Sequence, residues 1–247
     1  MSTQRTHLSK QVMVITGATS RIGLITARMA ARQGATLVLA ASNVTLLDRL
    51  ASEIRQAGGE VMAFPVDVAS HDQMATMGRA AVQRFGRIDT WINAGMALDD
   101  PADAKPATVA ARLFKSHYWG AAHGAAVALA LMQQDGGAII NLDSDASAKH
   151  GVTSLTDSLR ANAGAVAVTL IHAAGADIYN APHRIAEAIL QAALHAQYDV
   201  VVGSIPIAPA RKASLAPRLL KQCLAFTRRQ LRMPGLSPAG GSPRPFP

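Results

Sequence analysis

The segment VMVITGATSRIG, Val12 to Gly23, decides the reading of the fold. Val12–Thr16 is a short β-rich run that ends in Gly17. A helical stretch follows from Ile22 to Gln33 and closes at Gly34. Strand, glycine turn and helix together have a chemical consequence. Glycine lets the chain turn tightly and lets the backbone come close to a pyrophosphate. The start of the helix then presents unpaired N–H groups and the positive end of its dipole to that anion. One such turn also reads as a plain tight connection, so the rest of the chain has to be weighed.

Working outward, further β-rich runs stand at Thr36–Ala41, Val61–Pro65, Asp89–Asn93, Ala138–Leu142, Ala165–Ile171 and Asp199–Val202. Between them lie helical stretches at Val44–Ala57, Ser70–Phe85, Ser147–Asn162 and Pro182–His195, and a long Ala-rich segment from Thr108 to Gln134. The spacing is clearest in Val44–Ala57, where apolar residues fall at 46, 47, 50 and 54. Strands alternating with helices imply right-handed crossovers and a parallel sheet covered on both faces. Runs such as VMVI, LVLA, AIINL and VAVTLI are apolar on both sides, as that sheet needs. The expectation is an α/β protein with a seven-stranded parallel sheet in residues 1–204.

Composition agrees. Of 247 residues, 49% are hydrophobic and 16% charged, so a large core can form. The net charge of +8 looks like a nucleic-acid signal until it is mapped. Eight of the 24 Lys and Arg lie after Ile205 and none of the 16 acids does, so the body is neutral and the tail basic. That argues against a nucleic-acid face on the domain. Ser214–Met233 can form an amphipathic helix, and Pro234–Pro247 is Pro/Gly/Ser-rich and reads as disordered. Residues 205–247 are therefore set apart from the domain. The basic helix reads as a peripheral contact with an anionic membrane, a helix packed on a second subunit, or a solvated face. One cysteine, Cys223, excludes an internal disulfide. No apolar stretch reaches about 18 residues, and the first eleven residues are polar, so a cytoplasmic protein is expected. The histidines show no ligand spacing, and no metal site is expected.

Three motifs now stand in order, each at the end of a strand. Thr16-Gly17-Ala18-Thr19-Ser20-Arg21-Ile22-Gly23 resembles the TGxxxGxG turn of the short-chain dehydrogenase/reductases. Asp67-Val68 resembles that family's adenine-contacting pair, and Asn93-Ala94-Gly95 its NAG motif. The resemblance covers roughly residues 10–204 and implies a single doubly wound Rossmann fold. It further implies a nicotinamide dinucleotide site built from Gly17, Ser20, Arg21, Ile22, Gly23, Ser42, Asp67, Val68, Asn93, Ala94 and Gly95. Arg21 takes the place of the motif's middle glycine, which leaves three readings open. It obstructs the pyrophosphate, pairs with a phosphate, or is solvated beside the site. After the second strand the chain reads Ala40-Ala41-Ser42-Asn43, without the acid that would bind the ribose of NAD. That favours NADP(H) over NAD(H), although the usual arginine is missing too.

The same resemblance is incomplete in the second half. Family enzymes move a hydride with the help of a tyrosine, a lysine, a serine and an asparagine. Ser144 matches the serine, with a capping serine as the other reading, and Lys149 matches the lysine of YxxxK, with an exposed helical lysine as the other. Lys149 would also bind the cofactor ribose. Four residues before it stands Asp145 instead of tyrosine, and the stretch carrying the tyrosine is deleted. His117 stands where the asparagine belongs. Asp145 has an ordinary pKa near 3.9 and His117 near 6.5, so His117 is the better-matched acid/base, though a buried histidine in an Ala-rich helix is the favoured reading. Tyr179 lies where the family carries a substrate loop, and that loop is short here. Two functions stay open. One is NADP(H)-dependent hydride transfer on a small carbonyl or alcohol, impaired or atypical. The other is a catalytically inactive dinucleotide-binding or dimer-forming scaffold. Family likeness implies a homodimer or homotetramer through the Ala-rich helix.

Overall fold

The computed structural model describes residues 7–94, 111, 114–143, 149–173, 180–195, 197 and 199–202, with the backbone alone at 149 and 150. Among them, seven strands form one sheet in the order β3-β2-β1-β4-β5-β6-β7, every pair parallel. They are β1 Val12–Thr16, β2 Thr36–Ala41, β3 Val61–Pro65, β4 Thr90–Asn93, β5 Gly137–Asp143, β6 Val166–Ala173 and β7 Asp199–Val202. Six α-helices connect them: α1 Arg21–Arg32, α2 Val44–Gln56, α3 His71–Phe85, α4 Gly120–Met132, α5 Lys149–Arg160 and α6 Pro182–Leu194. The expected single α/β Rossmann sheet is what the chain forms. Helix ends move by one or two residues from their sequence-based positions.

The sheet carries two apolar layers. Met13, Ile15, Leu37, Leu39 and Ile140 face α1, α2 and α6. Val14, Val38, Trp91, Ile139 and Val168 face α3, α4 and α5. Buried on both sides, these strands need no polar alternation. In the second layer, glycines of the helices leave no room for a side chain against their neighbours. A Cβ on Gly124 of α4 would meet Asn93 Oδ1 at 2.2 Å and Trp91 Nε1 at 2.9 Å. A Cβ on Gly78 of α3 would meet Leu131 Cδ1 at 2.7 Å.

One element differs from expectation. The Ala-rich segment was expected to be helical from Thr108 to Gln134. Its described part includes a π-helical turn, Lys115–Trp119, which follows the α-helical Phe114 and runs into α4. Such a turn fits an extra residue into the helix, and it often marks a functional site. Here it carries Ser116 and His117.

Strand order reverses between β1 and β4. From that point the chain winds outward to β2 and β3 on one side and to β5, β6 and β7 on the other. The C-terminal ends of β1 and β4 therefore diverge into a crevice, where open α/β sheets bind ligands.

Candidate functional site at the switch point of the sheet

The glycine turn sits at that crevice. Gly17 has φ +67°, a conformation that glycine adopts without strain. Ser20 caps α1: its Oγ accepts from Gly23 N at 3.0 Å and donates to the Ala94 carbonyl at 3.0 Å. One hydroxyl thus ties the turn to the end of β4. Gly23 has no room for a side chain, because a Cβ would meet the Gly17 carbonyl oxygen at 2.2 Å. Strand, turn and helix are packed backbone to backbone, and the start of α1 lies over the strand ends. This cradle fits a dinucleotide pyrophosphate. Ile22 is buried under it, and Arg21, the first residue of α1, is exposed.

Farther along the edge, Ser42 is exposed after β2, and Asn43 caps α2 by accepting from Leu46 N at 3.0 Å. Asp67 closes a turn after β3, its carboxylate accepting from Ala69 N at 2.9 Å. It also lies 3.6 Å from Lys115 Nζ. Val68 packs on the π turn and α4, where a Cβ on Gly120 would approach its Cγ2 to 2.9 Å. Under this loop, His71 and His123 stack edge to face with ring centroids 5.6 Å apart. Burial pushes both imidazoles below the ordinary histidine range, and for His123 the neighbouring His71 adds to it.

Below the crevice runs a chain of buried hydrogen bonds. Thr16 Oγ1 donates to Asn93 Oδ1 at 3.2 Å, and Trp91 Nε1 donates to the same oxygen at 3.0 Å. Asn93 Nδ2 donates to Asn141 Oδ1 at 2.9 Å. Asn141 Nδ2 donates to Thr156 Oγ1 at 3.0 Å, and that hydroxyl donates to the Val152 carbonyl at 2.8 Å. Each amide uses its oxygen and its nitrogen, so the chain pins β1, β4, β5 and α5 together. Thr16, Asn93, Ser116, His117 and Leu142 line the crevice above it. His117 is buried there, as a histidine in an Ala-rich helix was expected to be, and it also reaches the site.

A second polar pair stands one strand over. Asp143 ends β5 and is in register with His172 of β6. Its side chain is 2% exposed, and Oδ2 lies 3.4 Å from His172 Nδ1. Neither residue stood out in sequence, nor did Asn141 or Thr156. The available signal was a polar residue near the end of an otherwise apolar strand.

Gly95, Ser144 and Asp145 lie outside the described residues, as do Tyr179 and residues 203–247. For Lys149 the backbone alone is described, at the start of α5. Among the described residues, no helix is long and apolar enough to cross a membrane.

A doubly wound parallel sheet with a capped glycine turn at its switch point defines a dinucleotide-binding Rossmann protein. Comparison with known proteins narrows this further. The chain belongs to the short chain dehydrogenase family, which matches residues 11–178, and is an NAD(P)-dependent dehydrogenase/reductase of that family. It is 35% identical over 252 residues to the uncharacterized oxidoreductase YxnA of Bacillus subtilis (strain 168), covering 86% of this chain and 70% of that protein. Among solved structures, it resembles a metagenomic short-chain oxidoreductase in complex with NADP. The TM-score is 0.65 at 27% identity, over 80% of this chain and 98% of that one. It shares the fold of a 7α-hydroxysteroid dehydrogenase complexed with NADH and 7-oxo glycochenodeoxycholic acid. There the TM-score is 0.68 at 21% identity, over 79% and 94%.

Proposed function

We propose that this protein transfers a hydride between NADP(H) and a small carbonyl/alcohol pair. The carrying observation is the Gly17–Gly23 turn, bound through Ser20 to Ala94 at the reversal of the sheet. The nicotinamide, when bound, supplies or accepts the hydride. Gly17, Ser20, Ile22 and Gly23 shape the backbone cradle for its pyrophosphate. Asp67 and Val68 would border the adenine and Asn93 and Ala94 the middle of the cofactor, as would Gly95 by the family likeness. NADP(H) is favoured because Ala41, Ser42 and Asn43 leave no carboxylate after β2 to repel a 2′-phosphate. Arg21 stands exposed at the first position of α1, and its guanidinium is the phosphate partner in this reading. Ser144 orients the carbonyl and Lys149 binds the ribose, as the family likeness implies.

Titration with NADPH and NADH, followed by cofactor fluorescence, tests the proposal. Saturable binding with NADPH tighter than NADH is expected. No binding of either up to millimolar cofactor removes the hydride-transfer reading. Binding without turnover on any aldehyde or ketone leaves a scaffold.

A further inference from the structure

We infer that His172, oriented by Asp143, is the proton carrier of this site in place of the tyrosine that the chain lacks. The inference rests on the hydride-transfer reading above.

Placement comes first. Asp143 and His172 are register partners at the C-terminal ends of adjacent strands, on the ligand-binding edge of the sheet. Asn141 and Leu170, one step back on the same face, are also partners. Asn141 bonds to Thr156 of α5, and Leu170 packs on Val152 in the first turn of α5. His172 therefore stands one step outward of Leu170, beside the end of α5 where Lys149 begins the helix. The lysine that the family places at its active site and this histidine are brought to the same corner.

The chemistry of the pair comes second. Among the described residues, Asp143 Oδ2 is enclosed by protein without a hydrogen-bond partner, and its ion-pair neighbour is His172 Nδ1 at 3.4 Å. Every other amide and hydroxyl of the neighbouring Thr16–Asn93–Asn141–Thr156 chain is matched. A carboxylate enclosed without full hydrogen bonding is costly as a structural element, so the pair calls for a chemical use. A buried carboxylate beside an imidazole selects the Nδ1–H form and leaves Nε2 for proton transfer. The His172 side chain is 13% exposed, so it is reachable from the edge. Its partner on β7 is Val201, and α5 brings Val152. The first turn of α5 also holds Lys149 and His150, and Arg160 at its far end is engaged with Asp157 and Asp199.

The step balances as follows. In reduction, the carbonyl carbon takes the hydride from the reduced nicotinamide and the C=O π pair moves to oxygen. That oxygen takes the Nε2 proton of the His172 imidazolium, the imidazole is left neutral with Nδ1–H toward Asp143, and solvent returns a proton to Nε2 before the next turnover. Alcohol oxidation reverses each transfer, with His172 Nε2 accepting the hydroxyl proton.

The test compares the full chain with His172→Ala, His172→Gln and Asp143→Asn, using NADPH and 4-nitrobenzaldehyde. In the His172 variants kcat is expected to fall by about 10²- to 10⁴-fold while NADPH affinity stays unchanged, and added imidazole restores part of the rate to His172→Ala. ¹⁵N NMR of the cofactor-free protein is expected to show the Nδ1–H form of His172, lost in Asp143→Asn. Wild-type kcat in His172→Ala, or an Nε2–H form in the wild type, overturns this inference and leaves the cofactor reading intact. Loss of NADPH affinity without imidazole rescue in folded His172→Gln and His172→Ala shows a structural role and overturns it too. A wild type that binds no NADPH overturns both readings together.

Discussion

Two stretches of one sheet edge treat their polar groups in opposite ways. Between β1 and β4, Ser20, Thr16, Asn93 and Trp91 all bond within the protein, and glycines bring the backbones into contact. Between β5 and β6, Asp143 and His172 face each other at 3.4 Å, and a buried carboxylate oxygen has no hydrogen bond among the described residues. The first stretch is a rigid frame, because moving any member would strand the others. The second keeps unspent hydrogen-bonding capacity among the described residues at the ligand-binding edge of the sheet. The first has the character of a structural frame, and the second is the place proposed above for the proton carrier.

The sharpest way to break this contrast is Asn93→Leu. It removes the acceptor of Trp91, the donor to Asn141 Oδ1 and one of two acceptors of Thr16, and urea unfolding should show a loss of about 3–5 kcal/mol. Gly23→Ala comes next. Its methyl group would meet the Gly17 carbonyl, so a loss of about 1–3 kcal/mol is expected, together with loss of NADPH binding in fluorescence titration. The opposite outcome is expected at the second stretch. Replacing Asp143 and His172 together by leucine removes both buried partners, and stability should stay level or rise by about 1 kcal/mol while turnover disappears. A large destabilisation of that double variant would show the pair to be part of the frame.

A pH series sharpens the comparison along the edge. Burial lowers the folded-state pKa of His71 and His123 below 6.5. The unfolded chain then binds protons that the folded chain refuses. Stability is therefore full above about pH 6.5 and falls as pH drops from there toward the folded values. Unfolding midpoints at about pH 7.5 and about pH 5.5 should differ in that direction, and the double change to glutamine should flatten the difference. The smallest effect is expected away from the edge. Arg28 and Glu53 join α1 to α2 at 2.7 Å on the surface, and Glu53→Gln should cost under about 0.5 kcal/mol, and less in high salt.

The alternation of apolar strands with periodic helices, and the glycine turn, were readable along the chain because each depends on neighbours in sequence. Gly17 needs its positive φ and Ser20 caps a residue three positions on, so both declare themselves locally. The charge map was equally local, since a basic tail is visible by position alone. Asp143 and His172 stayed silent for a physical reason. Each is an unremarkable polar residue near the end of its strand, and they lie 29 positions apart. The parallel register of β5 on β6 sets them opposite each other, and that register is decided by which side chains fill the layer against α5. The Asn93–Asn141–Thr156 chain was hidden in the same way. Composition and local pattern thus determined the fold and the glycine turn at its switch point. Strand pairing alone decided which distant side chains meet at the edge, because a hydrogen-bonding partner is chosen by position in space and leaves no periodic mark on the sequence.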